Sequence, residues 1–501
     1  MKKESFTKQA LTSFYFTSTA MFINRVGALI FSILLARFLM PEKFGMYNLV
    51  LSVALILITF SDLGIDTTLT KYLANSLGNK NYPLAKSYFK YIMKIKLMLA
   101  GITAVGLMIL AYPLAFYAFN NSLLFWPLFI AGFFIFFNTF EGTLRVLFYV
   151  TNNVKYFTFK EIISQVLKIA LCLIVFFSLA EAYYVSGIFI GLALTSLVVL
   201  LYYMLFIKKF AGVLFTKQKE VEINKKEVLK FLSYLIIGSI SAVFFSYIDT
   251  IVLGLYLPVE YVGYYRAAFG IIFSLSGFLT FANVLFPFFN RMDENRLNNS
   301  ISKILRYTSL VTIPSVFGLI VLSKYITVLM YGYEYLPSAY ALIILSPLLF
   351  EIATTGILMS FYQSKGEVKF YTSMVVLSIF LNLALALSAV HYFSSDIGAM
   401  NGVALATLFT RYLLFLVLMI HIKRKFKINL EGKIFLKPIV ASLLMALAIY
   451  FVNLKIGSMN LLYGAMDIIL GVVVYFGVML IIKGIKKEDV VILRNLSRTI
   501  H

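Results

Sequence analysis

Apolar positions along this chain fall into long unbroken blocks and not into the short alternating runs of a soluble sheet. A membrane-spanning helix needs about 20 consecutive apolar residues, and about fourteen such blocks can be marked. The first two run over 12–36 and 46–70, followed by a basic, turn-rich stretch, KYLANSLGNKNYPLAK. Blocks at 92–118 and 123–148 meet at a short uncharged turn containing Asn120 and Asn121, and blocks at 159–180 and 184–207 complete a first group of six. The most polar stretch of the chain comes next, from Lys208 to Lys230. A second group of six follows at 231–257, 262–289, 307–330, 338–362, 370–393 and 397–421. A second basic linker, HIKRKFKINLEGK, then precedes a final pair of blocks at 437–455 and 460–482. The pattern predicts an all-α polytopic membrane protein of about 14 transmembrane helices. Its expected parts are an N-terminal six-helix lobe (1–207), a basic cytoplasmic linker (208–230), a C-terminal six-helix lobe (231–421), a second basic linker (422–436), an extra helix pair (437–482) and a cytoplasmic tail (483–501).

Composition agrees: 61% of the 501 residues are hydrophobic and 13% are charged, against roughly 25% charged in soluble proteins. The net charge of +22 would suggest nucleic acid in a soluble chain. Here the basic residues sit between alternate blocks: roughly 36 of the 44 Lys and Arg fall on one side and about five on the other. That is the positive-inside pattern. It places both termini in the cytoplasm and argues against a nucleic-acid partner. The basic start, MKKESFTK, leads into a block too long for a signal peptide, with no small-residue cleavage site after it, so it reads as a retained first span.

The outer segments are all short, which leaves no room for an external catalytic domain; no catalytic residue, and hence no enzyme, is expected. The lone Cys172 excludes an internal disulfide. His391, His421 and His501 lack partners at metal-ligand spacing, so neither metal nor cofactor is expected. No Walker sequence is present, and ATP drive would need a separate subunit.

The stretch LARFLMPEKFGMYNLVLS, with its Pro41–Gly45 turn between two spans, is echoed by LGLYLPVEYVGYYRAAFG in the second group. Aligning Gly45 with Gly263 also matches Glu42 with Glu260 and Tyr47 with Tyr265, while Arg25 falls opposite Val243 and Asp249 opposite Phe31. Two groups of six that both start inside are parallel repeats about an axis along the membrane normal, an arrangement known in secondary transporters with a midplane site.

Ionisable residues within spans cost at least about 2.5 kcal/mol on insertion scales and normally face a cavity or a partner. Arg25, beside Asn24, lies midway along the first block. Lys168 lies midway along the fifth, on a stripe with Glu161, Ser164, Gln165 and Cys172. Arg411, flanked by Thr407 and Thr410, is in the twelfth, Asp249 in the seventh and Glu351 in the tenth. One reading is a water-filled cavity between the halves whose cationic wall, Arg25, Lys168 and Arg411 with Asn24, accepts an anionic group. Asp249 and Glu351 would then bind a coupling proton or sodium ion. The other reading is simple ion pairing, of Arg25 or Arg411 with Asp249 or Glu351. Glu141 with Arg145, and Asp62 and Asp66 with Lys71, read as ordinary helix-surface pairs.

The residues ARFLMPEKFGMYNLV followed by SDLGIDTTLTKYLA resemble the opening signature of polysaccharide biosynthesis proteins, lipid-linked oligosaccharide flippases of the multidrug/oligosaccharidyl-lipid/polysaccharide exporter superfamily. DTIVLGLYLPVEYVGYY resembles that family's span-seven pattern. The resemblance implies translocation of a polyprenyl-pyrophosphate-linked sugar from the cytoplasmic to the outer leaflet of the cell membrane by alternating access. It also implies a cavity arginine at Arg25 and an acidic span-seven position at Asp249. Lys168, Arg411 and Glu351 rest on the charge pattern alone. The expected partners are the lipid-linked oligosaccharide, membrane lipid and a coupling ion, with the protein acting as a monomer. A drug/cation antiporter of the same superfamily, which should carry acids in its interior, and a membrane glycosyltransferase or polymerase are the alternative functions.

Overall fold

The structure is a computed structural model and describes residues 2–216, 221–279, 294–428, 433–456 and 461–485. Among them the long elements are all helices: α1 (Lys2–Asp62), α2 (Ile65–Gly78), α3 (Tyr82–Pro113), α4 (Phe125–Val150), α5 (Val154–Ser178), α6 (Tyr184–Ala211), α7 (Lys225–Tyr256) and α8 (Val259–Leu279). They continue as α9 (Glu294–Val321), α10 (Ser323–Tyr331), α11 (Ser338–Leu345), α12 (Leu348–Ser364), α13 (Val368–Tyr392), α14 (Asp396–Phe426), α15 (Lys433–Ile456) and α16 (Leu461–Ile481). Ten of the described helices are long and apolar enough to cross a membrane, or up to twelve if each of two bent pairs is one span. The chain is an all-α, multi-pass membrane protein, as its apolar blocks predict. The end of the block at 262–289, part of each basic linker and most of the tail with His501 lie outside the described residues.

The first two blocks share one continuous element, α1, divided at Met40 (φ 57°, ψ 171°). Before Met40, α1 runs parallel to α5: the carbonyl of Phe16 accepts from Thr158, and Phe38 stacks on Phe176 at 4.5 Å. After Met40 it runs alongside α6, with Lys43 at Glu181 (2.7 Å) and Tyr47 against Phe189 (5.7 Å). Helices α5 and α6 are antiparallel, since Tyr184 bonds the Phe176 carbonyl and Tyr202 that of Tyr156. The chain therefore reverses at Met40. The expected Pro41–Gly45 turn is instead the first turn of the returning arm. Proline suits a helix's opening position and pushes non-helical angles onto the residue before it. Later reversals use asparagine for the same kind of geometry: Asn120 (φ 48°) joins α3 to α4, and Asn152 (φ 61°) joins α4 to α5. Asn81 and Asn224 cap α3 and α7 by accepting from Leu84 and Glu227.

The chain divides into two compact units, Met1–Arg266 with Ala386–Asp396, and Ala267–Leu385 with Ile397–His501. The first is built around Leu69, Leu73, Ile92, Phe148, Val199 and Tyr203. Within it the two copies of the glycine hairpin cross. A Cβ on Gly45 would lie 1.9 Å from the Val259 carbonyl oxygen, and one on Gly263 would lie 2.1 Å from that of Pro41. In the second unit the extra pair, α15 and α16, packs on α9 through Met445, Ile449, Tyr475 and Met479, and Tyr475 donates to the Leu310 carbonyl at 2.9 Å.

Candidate functional site

The parallel packing of α1 on α5 brings the first polar set together. Asn24 donates to Glu161 at 2.7 Å, and Gly27 lies where a Cβ would strike the Gln165 side chain. Glu161, Ser164, Gln165 and Cys172 are buried along the same stripe of α5, and Lys168, on that stripe, is half-buried. Glu161 also accepts from Lys160 at 3.0 Å, and Lys160 reaches across to Glu141 on α4 at 2.5 Å. Glu141 thus pairs with a lysine of the neighbouring helix and not with Arg145 one turn away. Burial explains the choice: Lys160 is sealed between α4 and α5 and needs a counter-charge, whereas a partly exposed Arg145 does not.

Lys160 is held by both glutamates, so this buried group has one ammonium against two carboxylates. Among the described residues, neither Arg25 nor Lys168 makes a hydrogen bond or an ion pair. Both are half-buried, and neither has a nitrogen sealed away from solvent. Lys168 lies seven residues, about 10 Å, along α5 from the Asn24–Glu161 bond. A cation within a span that has no protein partner needs water or an anion from outside.

A second ionic cluster in this unit joins Asp62 and Asp66 to a lysine that the sequence reading did not single out, Lys96. Lys96, almost fully buried on α3, is shared between Asp62, at a contact tighter than an ordinary ion pair, and Asp66 at 3.0 Å; Thr143 of α4 also donates to Asp66 at 3.0 Å. The cluster straddles the break between α1 and α2, where Leu63 and Gly64 take positive φ of 45° and 82°. The aspartates therefore pair across to α3 and not with Lys71, which lies over the Phe231 ring at 3.7 Å. Lys96 lies four residues inside an apolar block, which was the available signal. Its carboxylates are about 30 residues away in sequence, which is why a helix-by-helix reading overlooked it.

Asp249 is buried and accepts from the Tyr265 hydroxyl at 2.8 Å, so the acid is tied to the tyrosine of the repeated turn. Arg266, also missed, lies over the Tyr247 ring at 5.1 Å and reaches the Ser246 carbonyl at 3.5 Å. In the second unit Glu351 accepts from Arg411 at 3.3 Å and from Thr355 at 2.8 Å. That pair sits beside the interruption between α11 and α12, where Tyr412 donates to the Pro347 carbonyl at 2.9 Å. Asn382 of α13 bonds both Thr407 and Thr410 at 3.3 Å, fixing α14 on either side of the arginine's turn. Asp467 on α16 is a further buried acid that sequence reading passed over. Of the proposed residues, Asn24 and Lys168 lie on the α1–α5 face, Arg25 follows Asn24 on α1 without a bond to α5 among the described residues, Asp249 is held by Tyr265, and Arg411 is paired with Glu351.

Residues 264–470 match the family described as lipid II flippase MurJ. The structure is similar to that of a lipid II flippase MurJ in an inward closed conformation, with a TM-score of 0.70 and 19% identity, covering 93% of this chain and 98% of the other. It is also similar to an inward-facing multidrug resistance MATE family transporter of the MOP superfamily, with a TM-score of 0.61 and 16% identity over 83% of this chain and 99% of the other. At such identities these likenesses establish the fold. In sequence the chain is 24% identical to the probable low-salt glycan biosynthesis flippase Agl15 of Haloferax volcanii, over 55% of this chain and 58% of that protein. The match thus spans a little over half the length of this curated relative. Residues 10–293, which hold both glycine hairpins and the α1–α5 face, match the family described as polysaccharide biosynthesis protein. With more than half of its length covered, the chain belongs to that family, in agreement with the resemblance carried by the two hairpins.

Proposed function

We propose that this protein is a flippase that moves a polyprenyl-(pyro)phosphate-linked oligosaccharide from the cytoplasmic to the outer leaflet of the cell membrane, with both termini cytoplasmic. The observation that carries the reading is the α1–α5 face. Asn24 of α1 bonds Glu161 of α5, Lys168 lies two turns further along the same α5 stripe without a hydrogen bond or ion pair of its own among the described residues, and Arg25, equally unpaired there, follows Asn24 on α1. A guanidinium and an ammonium within spans suit a phosphate or pyrophosphate, and Arg25 can engage two of its oxygens at once. Asn24, oriented by Glu161, would donate beside them. The functions named for the relatives support this choice of substrate class.

In this scheme the protein works as a monomer by alternating access, with lobes at 1–207 and 231–421. Asp249 and Glu351 are the ion-coupling residues. A proton or sodium ion taken up at Glu351 would loosen its 3.3 Å pair with Arg411. The drug-antiporter alternative needs acids free to meet a cation. Glu141, Glu161, Asp62, Asp66 and Glu351 are each held by a lysine or arginine, which counts against it, while Asp249, bonded by Tyr265, and Asp467 are the buried acids such an antiporter would have to use. Purified protein in vesicles, given a fluorescent polyprenyl-pyrophosphoryl oligosaccharide, tests the proposal: protein-dependent movement between leaflets is expected, and Arg25→Ala should slow it by about tenfold or more. Transport of cationic dyes with no movement of the lipid-linked sugar would overturn it.

A further inference from the structure

Away from the charged helix interior, the N-terminal unit carries a cavity of about 500 Å³ between the first half of α3 and the end of α6. Its walls are Phe89, Met93 and Leu97 of α3 with Leu214 and Phe215 of the short 3₁₀ turn Gly212–Phe215, and Phe89 meets Phe215 edge to face at 5.8 Å. Three lysines of α3 border it, Lys86, Lys90 and Lys94. Their four-residue spacing sets them one turn apart along one side of the helix. Lys86 donates to the Thr216 carbonyl at 2.8 Å, which ties the 3₁₀ turn to α3. Lys94 is exposed and makes no bond or ion pair among the described residues.

The depth of the cavity follows from helix length. Helix α3 has 32 residues, about 48 Å at 1.5 Å per residue, against a hydrocarbon core of about 30 Å. Its basic first half therefore extends into the headgroup region on the side of the Lys- and Arg-rich loops. A row of ammonium groups beside an apolar wall at that depth complements one kind of molecule, an anion that carries a hydrocarbon chain. Lysine stems that line apolar surface while their heads stay in water are suited to the same boundary.

We propose that this cavity binds an anionic phospholipid of the leaflet facing the basic loops. Lys90 and Lys94 meet the phosphate, and an acyl chain lies on Phe89, Met93, Leu97 and Phe215. The bound lipid bridges α3 to the turn from which the linker toward α7 departs. The site is separate from the substrate face on α1 and α5 and does not depend on the flippase reading.

Quenching by brominated lipid tests this. With Trp126→Phe removing the native tryptophan, Phe215→Trp places a reporter in the cavity. Reconstituted protein is then titrated with phosphatidylglycerol or phosphatidylcholine brominated on the acyl chain. Quenching should reach half-maximum at a markedly lower mole fraction of the brominated phosphatidylglycerol. Lys90→Gln with Lys94→Gln should shift that point toward the phosphatidylcholine curve, by about fivefold for each lysine. Equal quenching by the two lipids, or no shift in the double variant, would overturn the proposal. Relief of quenching by millimolar glycerol phosphate at constant ionic strength would also overturn it, by showing a site for a soluble phosphate.

Discussion

Two kinds of cation lie within the spans, and they should respond differently to removal. Lys160 sits between Glu141 and Glu161 at 2.5 and 3.0 Å, so Lys160→Ala leaves two carboxylates buried without their counter-charge. Breaking a buried pair in this way costs about 3–5 kcal/mol, and the variant should show a clear fall in its thermal unfolding midpoint in detergent. Arg25 and Lys168 support no pair, so Arg25→Ala and Lys168→Ala should unfold at or above the wild-type temperature. Flipping should nevertheless fall by about tenfold or more, the loss of one charge-assisted contact. A reduced unfolding temperature in Arg25→Ala, with flipping unchanged, would assign that arginine to structure. This division was only partly legible in the sequence. The costly charges at Arg25, Lys168, Asp249, Glu351 and Arg411 stand out against apolar neighbours, but their partners do not. The lysine that holds Glu161 is the adjacent residue, Lys160, yet its second carboxylate comes from another helix. The acids around Lys96 come from across a helix break. Pairing depends on which faces meet, and a one-dimensional pattern leaves that open.

At the scale of the element, the repeated hairpin was visible as a sequence echo, and its physical role became clear only in three dimensions. Gly45 and Gly263 are equivalent in the alignment and reciprocal in space: each occupies the point where the other hairpin's backbone carbonyl passes within about 2 Å of a would-be Cβ. Neither neighbour is a side chain that can swing away, so Gly45→Ala or Gly263→Ala must separate two helix openings. Overpacking of this kind costs about 1–3 kcal/mol and sometimes more. Each variant should accumulate poorly in the membrane and lose its sharp thermal transition. Gly101→Ala, where an added Cβ meets nothing within 4 Å, should behave as wild type. The matched tyrosines diverge within this shared scaffold: Tyr265 donates to Asp249, while Tyr47 packs on Phe189. Tyr265→Phe therefore removes a hydroxyl from the acid without disturbing the crossing. If Asp249 is a coupling residue, the ion dependence of flipping should shift in this variant while its folding does not. The position of the turn was misread by a few residues because Pro41 marks where a helix can begin and says little about which residue takes the reversal.

For the whole molecule, the proposed export from the cytoplasmic leaflet presumes an orientation of the chain, and the helix registers make that orientation testable. Contacts of α1 with α5, of α5 with α6, and of α4 with α3 (Gly132 on Ala104) and α5 (Glu141 with Lys160, Tyr149 on Phe157) show that successive helices of the first unit alternate in direction, so Lys80 and Asn152 belong to one membrane face, and Asn121 and Glu181 to the other. On the positive-inside expectation the first face is the cytoplasmic one. The single native thiol, Cys172, is buried, and Cys172→Ser gives a background without thiols. Cysteines introduced singly as Lys80→Cys, Asn121→Cys, Asn152→Cys and Glu181→Cys can then be challenged in intact cells with a membrane-impermeant maleimide. Labelling is expected at Asn121→Cys and Glu181→Cys before lysis, and at Lys80→Cys and Asn152→Cys only after it. The reverse pattern would put the basic loops outside and remove the basis for export from the cytoplasmic leaflet. A pattern that splits either pair would contradict the alternation of the helices. With orientation established, the coupling scheme can be tested in vesicles of known sidedness. Flipping should depend on a proton or sodium gradient in the wild type and become indifferent to it in Glu351→Gln, which removes the carboxylate that pairs with Arg411. A variant that keeps the full gradient dependence would remove Glu351 from the coupling path and leave its bond to Arg411 as a structural pair.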